Sequence, residues 1–437
     1  MAALYGRFDV VVVGSGSAGS TAAIAAARGG ATVLLIEKLP FLGGVSTAVL
    51  DTFYGFYTPG ARSLKVVGGV ADDVVAALRA IGRVVERPNT YGAGTGVTYL
   101  AEHLKVVWED LVIDAGARVL LHAFVQDATV EDGRLNGLAV ATKAGLQTVE
   151  ARVVVDASGD ADVSHHAGFG YELAGELSPA QTLTTTFRMT NVDVGRRKTI
   201  TKEELHRLMA EARDSGDFDL PRVEGSDHIT PIEDMTATIM TRVEHVTTRD
   251  GRVVNATDPD VLTSAEMAGR RQALEYARFL VDRVPGYEQA DLVALATQIG
   301  VRETRRVYGD YRVTREDVLS ARQFDDQIGL CGAPIEDHFG GGATDTTWEY
   351  LPGGSAVGIP LASLIVRDSI NTIVAGRCFS ATHEAHASIR SMAQCMAMGQ
   401  AAGTLAALAV EKGEVRKVDP VAVRSRLAKD GAILDLA

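Results

Sequence analysis

The chain has 437 residues. At roughly 150 residues per domain that is two or three packing units rather than one core. Hydrophobic residues make up 46% and charged residues 23%, which excludes a disordered, collagen-like or coiled-coil chain, and a net charge of −13 argues against a broad nucleic-acid or anionic-membrane surface. Residues 9–13 form a valine-rich run, read as a strand buried on both faces. It stops at Gly14-Ser15-Gly16-Ser17-Ala18-Gly19, and an alanine-rich helix over 20–28 follows, ended by Gly29-Gly30. A second apolar strand over 32–36 carries Glu37 at its end. Gly14 permits the tight turn, Gly16 lets a pyrophosphate approach the backbone, and Gly19 lets the helix pack closely on the strand. The helix N-terminus offers free N–H groups and a positive dipole end to phosphate. Glu37 lies 18 residues beyond Gly19, a spacing that suits a carboxylate accepting from ribose hydroxyls. Strand, glycine turn, helix, strand and acid together predict a dinucleotide site. The turn alone does not separate FAD from NAD.

The next segment, 38–47, favours FAD. Its Gly43-Gly44 pair and small hydroxyl residues suit a chain running along a flavin, where a larger side chain would clash. Gly92-Ala93-Gly94-Thr95-Gly96 follows Pro88-Asn89 rather than a strand and is a weak phosphate candidate. A helix is expected over 99–115, then strands over 118–122, 124–130, 138–142 and 148–155, broken by Asp132-Gly133 and Asn136-Gly137. That is a β-meander set into a doubly wound sheet. The strand end at 153–156 runs into Ala157-Ser158-Gly159-Asp160-Ala161-Asp162. Its small residues place backbone near a ligand, and its two aspartates bind, cap the next helix, or both.

Residues 171–329 change character. Strands are expected over 182–189 and 236–246 and surface helices over 202–213 and 264–284, without a second nucleotide fingerprint. The fold class is therefore α/β: a Rossmann-like cofactor domain built from 1–170 and 330–437, with a parallel sheet and β-meander, and an inserted α+β substrate or cap domain over 171–329. In the run 299–306, Arg302, Glu303, Arg305 and Arg306 read as a buried ion-pair hinge in preference to a carboxylate site. Ile335-Glu336-Asp337-His338 reads as a loop rather than a site. A strand over 371–377 leads into His383-Glu384-Ala385-His386, and a small-residue helix over 391–410 is expected to pack against sheet or cofactor, with its N-terminus toward the flavin N1/O2 edge. His383 and His386 are three apart, not the four of a metalloprotease helix, so no metal is expected. His383, Glu384 and His386 are active-site candidates against a reading as a polar loop that locks the domains.

Cys331, Cys378 and Cys395 give no disulfide, zinc or iron–sulfur spacing and fit a reducing, cytoplasmic compartment. The longest apolar stretches, near 22–27 and 401–410, fall short of the roughly 18–20 residues of a membrane span. The N-terminal run leads to Arg28 rather than to a cleavage site.

The glycine motif with Glu37, Leu42-Gly43-Gly44, Asp156-Ala157-Ser158-Gly159-Asp160, the run 301–306 and the segment from Ala375-Gly376-Arg377-Cys378 through Gly403 resemble FAD-dependent oxidoreductases of glutathione-reductase-like fold. The last two blocks look like the bacterial family related to the flavin subunit of heterodisulfide reductase, without that enzyme's cluster cysteines. The resemblance implies Gly14, Gly16 and Gly19 at the pyrophosphate, Glu37 at the ribose and Val125 at the adenine. It also implies Gly43, Gly44 and Ser46 near the flavin, Gly159 near the adenosine, and Gly376 and Arg377 near the ribityl chain. Ser17, Ala18, Lys38, Val45, Ala157, Ser158, Ala387 and Ser388 complete the expected cofactor set.

The expected chemistry is hydride transfer between a small organic molecule and flavin N5. His383, His386 or Glu384 would act as base, and Arg390 or Arg302 would hold a substrate carboxylate. A flavin-bearing electron-transfer subunit is the alternative, and a flavin-using RNA-modifying protein is disfavoured by the negative charge. The expected partners are a small molecule, no nucleic acid and no membrane, with self-association left open.

Overall fold

A computed structural model describes residues 3–60, 63–87, 94–339 and 346–436. The elements that position the site, in chain order, begin with β1 (Ala3–Val13), α1 (Ser17–Arg28), β2 (Val33–Ile36), α2 (Ala101–Asp114), β3 (Arg118–Leu120), β4 (Phe124–Glu131), β5 (Arg134–Thr142) and β6 (Gly145–Asp156). Next come β7 (Tyr171–Leu173), β8 (Phe187–Thr190), α3 (Lys202–Asp214), β9 (Ser226–Ile229), β10 (Thr236–Ile239), α4 (Pro259–Arg283) and β11 (Asp291–Leu295). The chain closes through β12 (Arg305–Val307), β13 (Ile335–His338), β14 (Thr372–Val374), α5 (His383–Ile389) and α6 (Met392–Lys412).

The main sheet runs β3-β2-β1-β6-β5-β4. β1, β2, β3, β6 and β14 are mutually parallel, while β5 and β4 add antiparallel as the meander. β6 is long enough to serve two neighbours on one side. Its start pairs with β5, and its end, Val154–Asp156, pairs with β14. Both faces of β1 are covered, which is why it reads as an unbroken valine run. Val10, Val12 and Leu35 face one core, while Val11, Val13 and Leu34 face the other with Leu138 and Val140.

α6 lies against α1 with almost no spacing. A side chain at Gly399 or Gly403 would overlap the carbonyls of Ala18 and Ala22. The small-residue character of α6 therefore serves helix contact. α6 has the length and apolarity to cross a membrane, contrary to the expected shortfall there, but most of its residues are buried inside the protein.

The cap is an antiparallel sheet, β9-β10-β8-β11, with its own core of Phe187, Met209, Tyr276, Phe279 and Tyr287. The chain enters it through β7 and leaves through β12, and these connectors pair antiparallel, Tyr171 with Val307 and Leu173 with Arg305. Beyond β12, Val313, Val318, Ile328 and Leu330 pack into the main core, so the cap ends near 307 and not at 329. The expected strand over 182–189 is regular only in β8. Upstream, Thr184 bridges Gly300, and the Thr185 amide donates to the Thr241 hydroxyl in place of a ladder bond. α4 begins earlier than expected because Asp258 caps it by accepting from the Asp260 and Val261 amides, with Pro259 at the first helical position. Residues 335–338 form a strand and not a loop, paired with Thr346–Glu349. Gly92 and Ala93 lie outside the described residues, and Gly96 opens a short strand rather than a phosphate loop.

Candidate active site

The glycine turn is built from backbone. A side chain at Gly14 would strike the Ala157 carbonyl, and one at Gly19 would strike the Gly14 carbonyl, so neither position admits a Cβ without movement. At Gly16 a Cβ would meet nothing within 4 Å. The space above it is open, bounded by the Gly43-Gly44 loop, whose Gly43 amide donates to the Ser15 carbonyl at 2.9 Å. α1 has no side-chain cap, so the amides of its first turn are left for an external acceptor. Ser17 and Ala18 are buried in that turn.

Glu37 is buried and accepts from the Ser15 amide and hydroxyl, at 2.8 and 2.6 Å, and from the Leu39 amide at 2.8 Å. Lys38 is exposed beside it. Val125 sits on β4 near this corner, where the Ala123 amide donates to the Glu37 carbonyl. Val45 begins the short helix after Gly44, and the Ser46 hydroxyl returns to the Gly43 carbonyl.

The turn after β6 carries Ala157, Ser158 and Gly159. Neither aspartate beyond it caps the following helix. Asp160 pairs with Arg377 at 2.8 Å and accepts from the Thr304 hydroxyl, while Asp162 meets Arg305 at 3.3 Å. Gly376 has a positive φ and abuts Ala18.

Between the domains lies a buried ion network. The Arg306 guanidinium bridges Glu303 and Glu172, and Arg312 also reaches Glu172. Arg306 is 1% exposed and Glu303 fully buried. His383 is clamped between two carboxylates, with Nδ1 2.9 Å from Glu303 and Nε2 2.8 Å from Asp337. Burial opposes its charge, but the two carboxylates outweigh that and raise its pKa to about 10. A cation with both nitrogens engaged is no proton acceptor, so the expectation for His383 is corrected to a structural one. His386 is fully buried, its Nε2 donates to the Arg377 carbonyl at 2.8 Å, its Nδ1 has no hydrogen-bond partner among the described residues, and burial lowers its pKa to about 3. Glu384 is half-buried on α5. Ala387 is buried, and the Ser388 hydroxyl donates to the Ala333 carbonyl at 2.7 Å. Among the described residues no group of histidine, cysteine and acidic side chains is arranged to hold a metal.

The run 299–306 divides. Glu303, Arg305 and Arg306 belong to the hinge. Arg302 instead donates through Nη1 to the Thr182 carbonyl and the Thr184 hydroxyl, both at 2.7 Å, and Arg390 donates to Gln181 Oε1 at 2.7 Å.

The FAD dependent oxidoreductase family model matches residues 9–427. The chain belongs to this family. It is 33% identical over 156 residues to digeranylgeranylglycerophospholipid reductase 1 of Methanopyrus kandleri, covering 35% of this chain and 40% of that protein. It is 32% identical over 194 residues to the second such reductase of that organism, covering 43% and 46%. The matches thus span less than half the length of these curated relatives. A geranylgeranyl bacteriochlorophyll reductase-like structure from Thermoplasma acidophilum aligns over 97% of this chain and 82% of its own, at 15% identity and a TM-score of 0.45.

In a FAD dependent oxidoreductase the open space over Gly16, the uncapped start of α1 and the Gly43-Gly44 loop fit a dinucleotide pyrophosphate. The chain also assembles residues that sequence reading missed. His228 on β9 is 2.8 Å from Asp51 through Nε2, both side chains are buried, and Asp51 lies five residues beyond Ser46. His228 Nδ1 and Asp51 Oδ2 have no hydrogen-bond partner among the described residues. Burial acts to raise the Asp51 pKa, but His228, Arg188 and Arg87 outweigh it and hold the carboxyl below its usual value. The two residues are 177 positions apart, so only the docking of cap on cofactor domain joins them.

Proposed function

We propose that the chain catalyses two-electron oxidoreduction of a small organic molecule, with His228 set on Asp51 as the group that moves the accompanying proton. FAD, when bound, supplies the two-electron site at flavin N5. Gly16, Ser17, Ala18, Gly19 and Gly43-Gly44 would hold its pyrophosphate side, and Glu37 would face the ribose. The residues Val45, Ser46, Val125, Ala157, Ser158, Gly159, Gly376 and Arg377 remain the proposed further contacts. The bound substrate presents a C–H and an O–H or N–H, and His228 takes the proton from the latter as the C–H bond is broken. Asp51 fixes the imidazole through Nε2–H, leaving the Nδ1 lone pair as the acceptor. The observation that carries this reading is that unpartnered Nδ1, buried at the boundary of the two domains. The −13 charge and three free, buried cysteines support a cytoplasmic protein with no nucleic-acid partner. The motif resemblance supports a glutathione-reductase-like ancestry shared with the flavin subunit of heterodisulfide reductase.

The test begins with the visible spectrum and acid release of flavin from purified protein. Anaerobic bleaching by a panel of alcohols, amines and hydroxy acids then identifies the reductant. His228→Gln is expected to slow bleaching by about 10²–10⁴ with FAD content retained. An unchanged rate removes His228 from the mechanism.

A further inference from the structure

Three N–H groups are stranded in the space between cap and cofactor domain. They are Arg222 Nε, Arg390 Nε and the Gln181 Nε2 amide, each buried and without a hydrogen-bond partner among the described residues. Gln181 is fully buried and Arg222 is 8% exposed. The orientation of Gln181 is fixed, because its Oε1 accepts from Arg390. Its N–H₂ group must therefore face away from that guanidinium, toward no acceptor among the described residues. Leaving such donors unmade is costly, most of all for charged groups. Three in one region call for an acceptor from outside the chain.

The charges agree. Arg302 feels Arg390 and Arg222 as like-charged neighbours, and among the described residues its side chain hydrogen-bonds only through Nη1. The Glu336 charge acts on Arg222, Arg302 and Arg390 alike. Yet none of these arginines comes within 4 Å of a carboxylate among the described residues, and Glu336 accepts from His338 at 2.9 Å instead. The Glu336 side chain keeps 31% of its surface accessible. The arginines thus do not collapse on this acid. Guanidinium forks match a carboxylate in charge and in geometry.

We infer that this cluster is the substrate-orienting subsite and takes a carboxylate of the substrate, held by Arg222, Arg302, Arg390 and the Gln181 amide. The inference rests on the oxidoreductase reading above for the identity of its ligand as a substrate. It does not depend on His228.

Succinate and benzoate serve as probes, with succinamide and benzamide as their neutral counterparts, added to FAD-loaded protein and followed by calorimetry and thermal shift. At least one of the two acids is expected to bind, more weakly as salt rises, and its amide is not. Arg390→Gln and Arg222→Gln are each expected to raise its Kd at least about tenfold, or about 1.4 kcal/mol, with an unchanged ratio of FAD to protein. Should Arg390→Gln fail to fold, Arg222→Gln and the acid–amide comparison carry the test alone. Equal binding of acid and amide, binding of neither acid, or full affinity in a folded arginine variant overturns the inference. A colourless protein that still binds an acid through Arg390 keeps the anion subsite and overturns the cofactor reading instead.

Discussion

The glycine turn and the interdomain belt solve opposite problems. Around Gly14, Gly16 and Gly19 the work is done by backbone: an uncapped helix start, an open space where a side chain would stand, and carbonyls too close to admit one. A few residues from one stretch of chain suffice. The belt has charged side chains at its centre: Glu172 on β7, Arg306 on β12, Glu303 just before β12 and His383 on α5 are buried, with the half-buried Asp337 of β13 against them. In the first region a change matters according to the space it takes. In the second it matters according to the charge it leaves without a counterpart. Shape governs one site and electrostatic neutrality the other.

The comparison is sharpened most strongly by breaking the belt. Arg306→Leu leaves Glu303 and Glu172 buried with fewer counter-charges, and is expected to cost about 3–5 kcal/mol of unfolding free energy, read by denaturant titration. A loss under about 1 kcal/mol would mean that water or rearrangement neutralises them. At the turn, Gly19→Ala is expected to cost about 1–3 kcal/mol, because α1 must move off β1, and to lose FAD as well. Gly16→Ala separates the two effects. Its Cβ meets nothing, so stability should stay within about 0.5 kcal/mol while FAD affinity falls, read by flavin content after dialysis. If both variants behave alike, the turn is not an open cradle.

The smallest effect is a slope. The folded pKa of His383, raised to about 10, lies above its ordinary 6.5. The stability it contributes is therefore fully present below pH 6.5 and is lost as pH rises toward 10. The thermal midpoint of wild type should decline across that window. His383→Asn should start lower and decline less, and parallel curves would remove the charged histidine from the belt.

How much of this was legible follows the same division. The dinucleotide half is local: strand, turn, helix and acid lie within forty residues, and each constraint is a residue type at a fixed spacing. The hinge role of Glu303, Arg305 and Arg306 was also readable, because that many charges beside apolar residues must neutralise one another. The rest is tertiary. Glu336 and Asp337 looked like loop residues until β13 carried them beneath α5. His383 looked like a base because nothing local reveals two carboxylates from distant segments. His228 and Asp51 gave no signal, since a lone histidine in the cap gains meaning only from what it docks against.

The pairing of β7 with β12 has a consequence for how such proteins diversify. The insert leaves and re-enters its host at adjacent points, Tyr171 beside Val307. An insert with neighbouring ends can be exchanged for another of different size without lengthening any connection in the host. The cofactor half then keeps its own strand order while the part packed on it can change, and side chains such as Asp51 and Arg390 meet whatever insert is docked there.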